Sequence, residues 1–160
     1  MLRNIICLSA FLLLLIVTHC SKDPTGPTTV ASETWLLNDV GTQNYCDLSF
    51  SKYDNGSVSV SGKWYYYFFG YRITCSFLSG SATVVDSSVT ITASGTASYP
   101  PDSSGDADTS AFTLQMNGSF KAGKSRGGWE IHFADTLWEG WVDPGDFSGT
   151  IQSGSGITSL

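Results

Sequence analysis

The chain has 160 residues, the size of one ordinary domain. Charged residues are 14%, too few for a coiled coil or a charged disordered tail. The net charge of −6 argues against nucleic acid, whose phosphates demand clustered Lys and Arg, and two His argue against a His-rich metal site. Ser and Thr make up a quarter of the chain and aromatics 13%.

The first element is a leader. Arg3 precedes an apolar run from Ile5 to Val17. As a helix this run spans about 20 Å, short of the roughly 20 residues that cross a bilayer. No later apolar run approaches that length, so the remainder is expected to be soluble. Val17-Thr18-His19-Cys20 follows directly, then Ser21-Lys22-Asp23-Pro24-Thr25-Gly26-Pro27. This arrangement resembles a bacterial lipoprotein leader, with His19 standing where Gly, Ala or Ser is usual. The resemblance implies cleavage before Cys20, a diacylglycerol and palmitate-type anchor on its thiol, and, from Ser21, export to the outer membrane. Residues 1–19 then form the signal peptide, 20–32 a Pro/Thr-rich tether and 33–160 one domain.

Cys7 lies in the leader and Cys20 is the expected acylation site, which leaves Cys46 and Cys75. In an exported chain such a pair is expected to form a disulfide. Its loop of about 30 residues would contribute roughly 3–4 kcal/mol. No C-x-x-C occurs, which argues against a zinc or redox site.

From Glu33-Thr34-Trp35 onward the texture is β. Cys46–Ser51 and Val58–Ser61 alternate apolar and polar around Asp54-Asn55-Gly56, a hairpin signal. Trp64 to Tyr71 is a dense aromatic run interrupted by Gly70. Arg72–Leu78 carries Cys75. Ala82–Val85 and Val89–Ala93 flank a turn at Asp86-Ser87-Ser88. Tyr99–Asp108 reads as a long polar loop. Phe112–Phe120 and Trp129–Phe133 are strands around a turn at Ala122–Gly128. Trp138–Val142 and Phe147–Gln152 are strands around a turn at Asp143–Asp146. Asn55 and Asn117, each in Asn-Gly-Ser, read as turns. No segment carries a 3.6-residue period, and about ten short strands at hairpin spacing predict an antiparallel all-β domain. The fold expected first is an up-and-down barrel, then a β-sandwich. The Gly, Trp and Ser/Thr-rich texture is similar to lipocalin-like or avidin-like barrels over residues 33–153, without the lipocalin Gly-x-Trp, since position 33 is Glu.

Several motifs look like chemistry. Gly118–Ser125 matches the P-loop expression and Gly123–Gly127 the nucleophile elbow, but both need a helix that Gly127-Gly128 opposes. Nucleotide is therefore not an expected partner, and no cofactor or metal is expected. Asp102, Asp106 and Asp108, and Asp143 with Asp146, lack EF-hand spacing and read as solvated loop charge. Glu130, His132 and Glu139 are the candidates for acid–base work, Glu130 and Glu139 as a glycosidase pair. Ser61-Gly62-Lys63-Trp64-Tyr65 looks like one motif of small lipid-anchored lysozyme inhibitors, whose second motif is missing. The aromatic run carries more weight. Strand side chains alternate, so Trp64 and Tyr66 oppose Tyr65 and Tyr67, and one row is either covered or exposed. An exposed Tyr/Trp row can stack on sugars or meet a partner. The expectation is a non-catalytic, lipid-anchored envelope protein. It would bind a small apolar ligand, a glycan or an envelope protein through Trp64, Tyr65, Tyr66, Tyr67 and Tyr71, or act structurally. The alternatives are an enzyme-inhibitor module and a hydrolase using Glu130 and Glu139.

Overall fold

Alternation governs the fold. In the computed structural model, residues 26–68, 70–99, 108–134 and 142–158 are described. They form β1 (Thr29–Asp39), β2 (Tyr45–Tyr53), β3 (Val58–Phe68), β4 (Tyr71–Val85), β5 (Ser88–Ser98), β6 (Thr109–Lys121), β7 (Lys124–Phe133) and β8 (Val142–Ser155). Each strand pairs antiparallel with its neighbour in sequence, and β8 pairs with β1. The result is a closed eight-stranded up-and-down barrel, the architecture of lipocalin-like proteins; the sandwich is excluded. Closure removes the unpaired edges that an open sheet would expose.

The inward row of each strand is apolar. Trp35 and Leu37 of β1, Leu48 and Phe50 of β2, and Phe112, Leu114 and Met116 of β6 are buried, while the residues between them are mostly polar. A cluster of rings around Phe120 packs in the interior. The Phe120 ring lies 5.0 Å from Trp35 and 5.8 Å from Phe50, both edge-on, and 5.9 Å from Phe147. Edge-to-face geometry sets the positive rim of one ring against the negative face of the next. Gly118 makes room for Phe147, since a Cβ there would stand 2.7 Å from its ring, and Gly127 opposite it lets β7 approach the β6 backbone, where a Cβ would clash with Asn117 O.

The two ends differ. One holds the start of β1 and the β2–β3, β4–β5 and β6–β7 hairpins; it is called the tether end, because residues 26–28 of the expected tether lead into β1 there. The other, the mouth, holds the β1–β2 and β3–β4 turns. At the tether end Ile157 and Thr158 are buried and held by Glu33. The Glu33 carboxylate accepts from the N–H groups of Ile157 (2.8 Å) and Thr158 (3.0 Å), from the Thr158 hydroxyl (2.6 Å) and from the Trp35 indole (3.2 Å). Burial alone would raise its pKa. The hydrogen bonds to the charged form outweigh that and bring it from 4.5 to about 2.

Several expected boundaries shift. The expected ten short strands are eight longer ones. Arg72–Leu78 and Ala82–Val85 belong to one strand, β4, whose apolar alternation breaks at a register shift between Phe77 and Ser79, with Leu78 exposed. The aromatic run is two strands, because Gly70, at φ +82°, turns the chain between Phe68 and Tyr71. Residues 124–128 are strand; only Ala122 and Gly123 turn, with φ +53° and +75°. Asp143–Asp146 is also strand rather than turn. Gly145 lies under the Trp129 ring, where a Cβ would stand 2.6 Å from it. Asn117 is paired within β6, whereas Asn55 does turn, its side-chain oxygen accepting from the Ser57 N–H. The barrel begins at Thr29, within the expected tether. Cys20 and the leader, Asp102, Asp106, Trp138 and Glu139 lie outside the described residues.

Candidate functional site

The mouth is built on a buried carboxylate. Asp39 ends β1 and is almost fully covered. Its Oδ1 accepts from the Trp129 indole at 3.2 Å, and its Oδ2 accepts from the Thr42 hydroxyl at 2.7 Å and the Asn44 amide at 3.0 Å. The Asn44 carbonyl oxygen in turn accepts from the Tyr67 N–H at 2.8 Å, and the Val40 N–H donates to Asp146 O at 2.8 Å. The β1–β2 turn is thus pinned to β3, β7 and β8 at once. A turn held this way has little rotamer entropy left to lose on binding. Beside it opens a cleft of about 680 Å³, lined by Asp39, Gln43, Asn44, Tyr66, Tyr67 and Trp129 among others.

The aromatic run divides as alternation requires. Trp64 and Tyr66 face inward and are buried, whereas Tyr65 and Tyr67 face outward. Tyr67 is 37% and Tyr71 64% exposed. The register sets Tyr45 of β2 directly opposite Tyr65, and the two rings stack at 4.5 Å with planes 24° apart. Tyr67 lies opposite Arg72, whose guanidinium sits 5.6 Å from the centre of the Tyr65 ring. A cation over a ring holds both in place. The outer rim therefore carries a group of aromatic side chains: the Tyr45–Tyr65 stack with Arg72 over it, and beside it Tyr67 and Tyr71.

Of the five residues expected to bind, Tyr65, Tyr67 and Tyr71 lie on this rim. Trp64 and Tyr66 are core instead: Trp64 packs against Trp129 with centroids 4.6 Å apart and planes tilted by 48°, and Tyr66 reaches only the cleft wall. Tyr45, Arg72, Asp39 and Asn44 join the site without having been expected there. Tyr45 is the one with a usable signal. It stands one residue before inward-facing Cys46, so it faces out.

The expected Cys46–Cys75 disulfide is not formed. Cys46 on β2 and Cys75 on β4 both lie opposite Trp64 of β3, from its two sides. Strands two positions apart in a sheet are separated by about 10 Å, beyond the roughly 7 Å that a disulfide spans between Cα atoms. Both thiols are buried, and burial pushes Cys75 up to about 12 and Cys46 well above its usual range. They are protonated, unreactive core groups.

The motif matches take plain structural places. The P-loop-like Gly118–Ser125 is the β6–β7 hairpin, with no helix after it. Ser61–Tyr65 lies within β3 rather than on a projecting loop. Glu130 pairs with His132 through His132 Nε2, both half exposed on the outer wall, and Glu139 is outside the described residues. No group of three or more His, Cys, Asp or Glu among the described residues could hold a metal ion. In comparison with known proteins, the chain matches no family model, no curated protein and no solved structure.

Proposed function

We propose that this chain is a non-catalytic, lipid-anchored protein of a bacterial envelope whose rim presents a glycan-binding platform. The observation that carries this reading is the Tyr45–Tyr65 stack with Arg72 over it, on the outside of the barrel at the mouth. Stacked tyrosines in a hydrophobic core need no cation and no solvent. Here the stack stays partly exposed and is held in place, and the exposed rings of Tyr67 and Tyr71 beside it are available to the apolar face of a sugar. The polar groups that a sugar's hydroxyls require lie close by, on the mouth turn and β8: Thr42, Gln43 and Asp146 line the same cleft as Tyr67. Inward-facing rings occupy the positions that a ligand inside the barrel would need, so the outer rim is favoured over the interior. Cys20 supplies the anchor and the outer membrane is the expected address, on the strength of the leader.

The test is co-sedimentation of the purified protein with insoluble envelope polysaccharide. Binding should fall about tenfold or more in Tyr65→Ala and in Tyr67→Ala, since a stacked ring contributes on the order of 1–2 kcal/mol. Binding that survives both substitutions would remove the platform from the account.

A further inference from the structure

The β6–β7 hairpin concentrates positive charge in an acidic protein. Lys121 and Lys124 stand directly opposite each other beside the turn, and Arg126 follows two residues on along the same outward row. They are three of the six Lys and Arg that remain once Arg3 and Lys22 of the leader and tether are set aside. Like charges placed directly across a strand pair destabilise it. None of the three has a carboxylate within ion-pair distance among the described residues, where the one such contact joins Glu130 to His132. They border an open groove of about 850 Å³ that Ser119 and Ser148 line beside them and that also includes Asp146 and Val40 of the mouth. The arrangement repels itself in isolation and is relieved by an anionic surface.

Position says which surface. The hairpin lies at the tether end. The Ile151 N–H donates to Gly123 O at 3.0 Å, which fixes the turn against β8, and β8 pairs with β1. Residue 28 is fixed at that same end, since Thr28 O accepts from the Asp54 N–H. From Cys20 to Thr28 the chain can span at most about 30 Å. An acyl chain on Cys20 would thus hold the hairpin within reach of the headgroups. Exposed acids stand at both ends, Asp54 and Asp86 in the tether-end turns and Asp47, Asp108 and Asp146 toward the mouth, so the hairpin differs from its surroundings by its three adjacent cations rather than by an acid-free end.

From this we infer that Lys121, Lys124 and Arg126 dock on the anionic headgroups of the anchoring bilayer and orient the barrel with its mouth away from the membrane. The inference rests on the lipid anchor proposed above. It adds an electrostatic second contact to the acyl chains, each cation near an anionic surface strengthening attachment severalfold. The rim tyrosines are then presented outward rather than against lipid.

The experiment uses the lipidated protein from its own membrane, reconstituted into vesicles of phosphatidylcholine alone or mixed with phosphatidylglycerol. A fluorophore is placed at Ala122→Cys on the hairpin turn or at Thr109→Cys at the mouth end of β6, and a headgroup-labelled quencher lipid reports proximity. The buried thiols of Cys46 and Cys75 leave the introduced cysteine as the reactive one. On anionic vesicles the hairpin label should be quenched severalfold more than the mouth label. That difference should collapse on phosphatidylcholine, in high salt, and in K121Q/K124Q/R126Q. Equal quenching of the two labels on anionic vesicles, or indifference to lipid charge, would overturn the proposal, including in favour of an anionic polymer as the hairpin's partner. Failure of the protein to float with phosphatidylcholine vesicles would sink the anchor instead. The hairpin would then be judged alone, by co-sedimentation of the unlipidated chain with anionic vesicles. A loss of roughly a hundredfold in the triple variant supports it, and no binding overturns it.

Discussion

Glu33 shows how one residue can close a barrel. Its carboxylate is buried, yet it stays charged because two backbone N–H groups, a hydroxyl and an indole all donate to it. Glu33→Gln keeps the shape but loses the charge and turns one acceptor into a donor facing donors. It is expected to cost about 2–4 kcal/mol, read as a lower urea midpoint at neutral pH. The pH dependence has a definite sign. The folded pKa lies below the usual value, so the contribution is complete above about 4.5 and is lost as pH falls toward about 2. Between those values the wild type should lose stability that the Gln variant does not. Ser125 is the converse case: its hydroxyl is buried without a partner, so Ser125→Ala should stabilise by about 1 kcal/mol in the same denaturation assay. The two thiols give a third outcome. Because Trp64 separates them, thermal midpoints with and without reductant should coincide, and a drop on reduction would mean that a disulfide forms after all.

At the scale of elements, much was legible and the failures have specific causes. Alternation in Phe112–Met116 and Trp129–Phe133 gave the inward rows of β6 and β7, and Asn55-Gly56 and Asp86-Ser87 gave two turns. The β4 strand was not legible as one piece, since the register shift at Leu78 reverses which residues face in. Asp143–Asp146 has turn composition, but Gly145 is there to clear the Trp129 ring, a tertiary demand that no local pattern shows. The same limit hid the site. Asp39 and Asn44 share one turn, but Trp129 lies 90 residues from Asp39 and meets it only through closure of the barrel. Cys46 and Cys75 looked like partners because parity ignores the strand between them. One local strain remains readable: Ala122 holds φ +53°, a conformation costly for any residue with a Cβ. Ala122→Gly should therefore raise stability by about 1 kcal/mol without altering the hairpin, checked by denaturation together with an unchanged amide spectrum around Lys121 and Lys124.

Considered whole, the molecule separates its tasks along one axis. The middle is packed with rings, the tether end is sealed by Glu33 with Ile157 and Thr158 and carries the three cations of the β6–β7 hairpin, and the mouth holds a pinned turn, a cleft and the rim tyrosines. Sealing one end and filling the interior leave the rim as the surface free to meet something large. The central claim is that glycan recognition occurs there, and amide chemical-shift mapping during titration with soluble fragments of envelope polysaccharide tests it most directly. The account predicts perturbations confined to Tyr45, Tyr65, Tyr67, Tyr71, Arg72 and the mouth turn at Thr42–Asn44. Shifts centred on inward residues such as Leu48, Ile91 or Leu114, or none at saturating fragment, would contradict it.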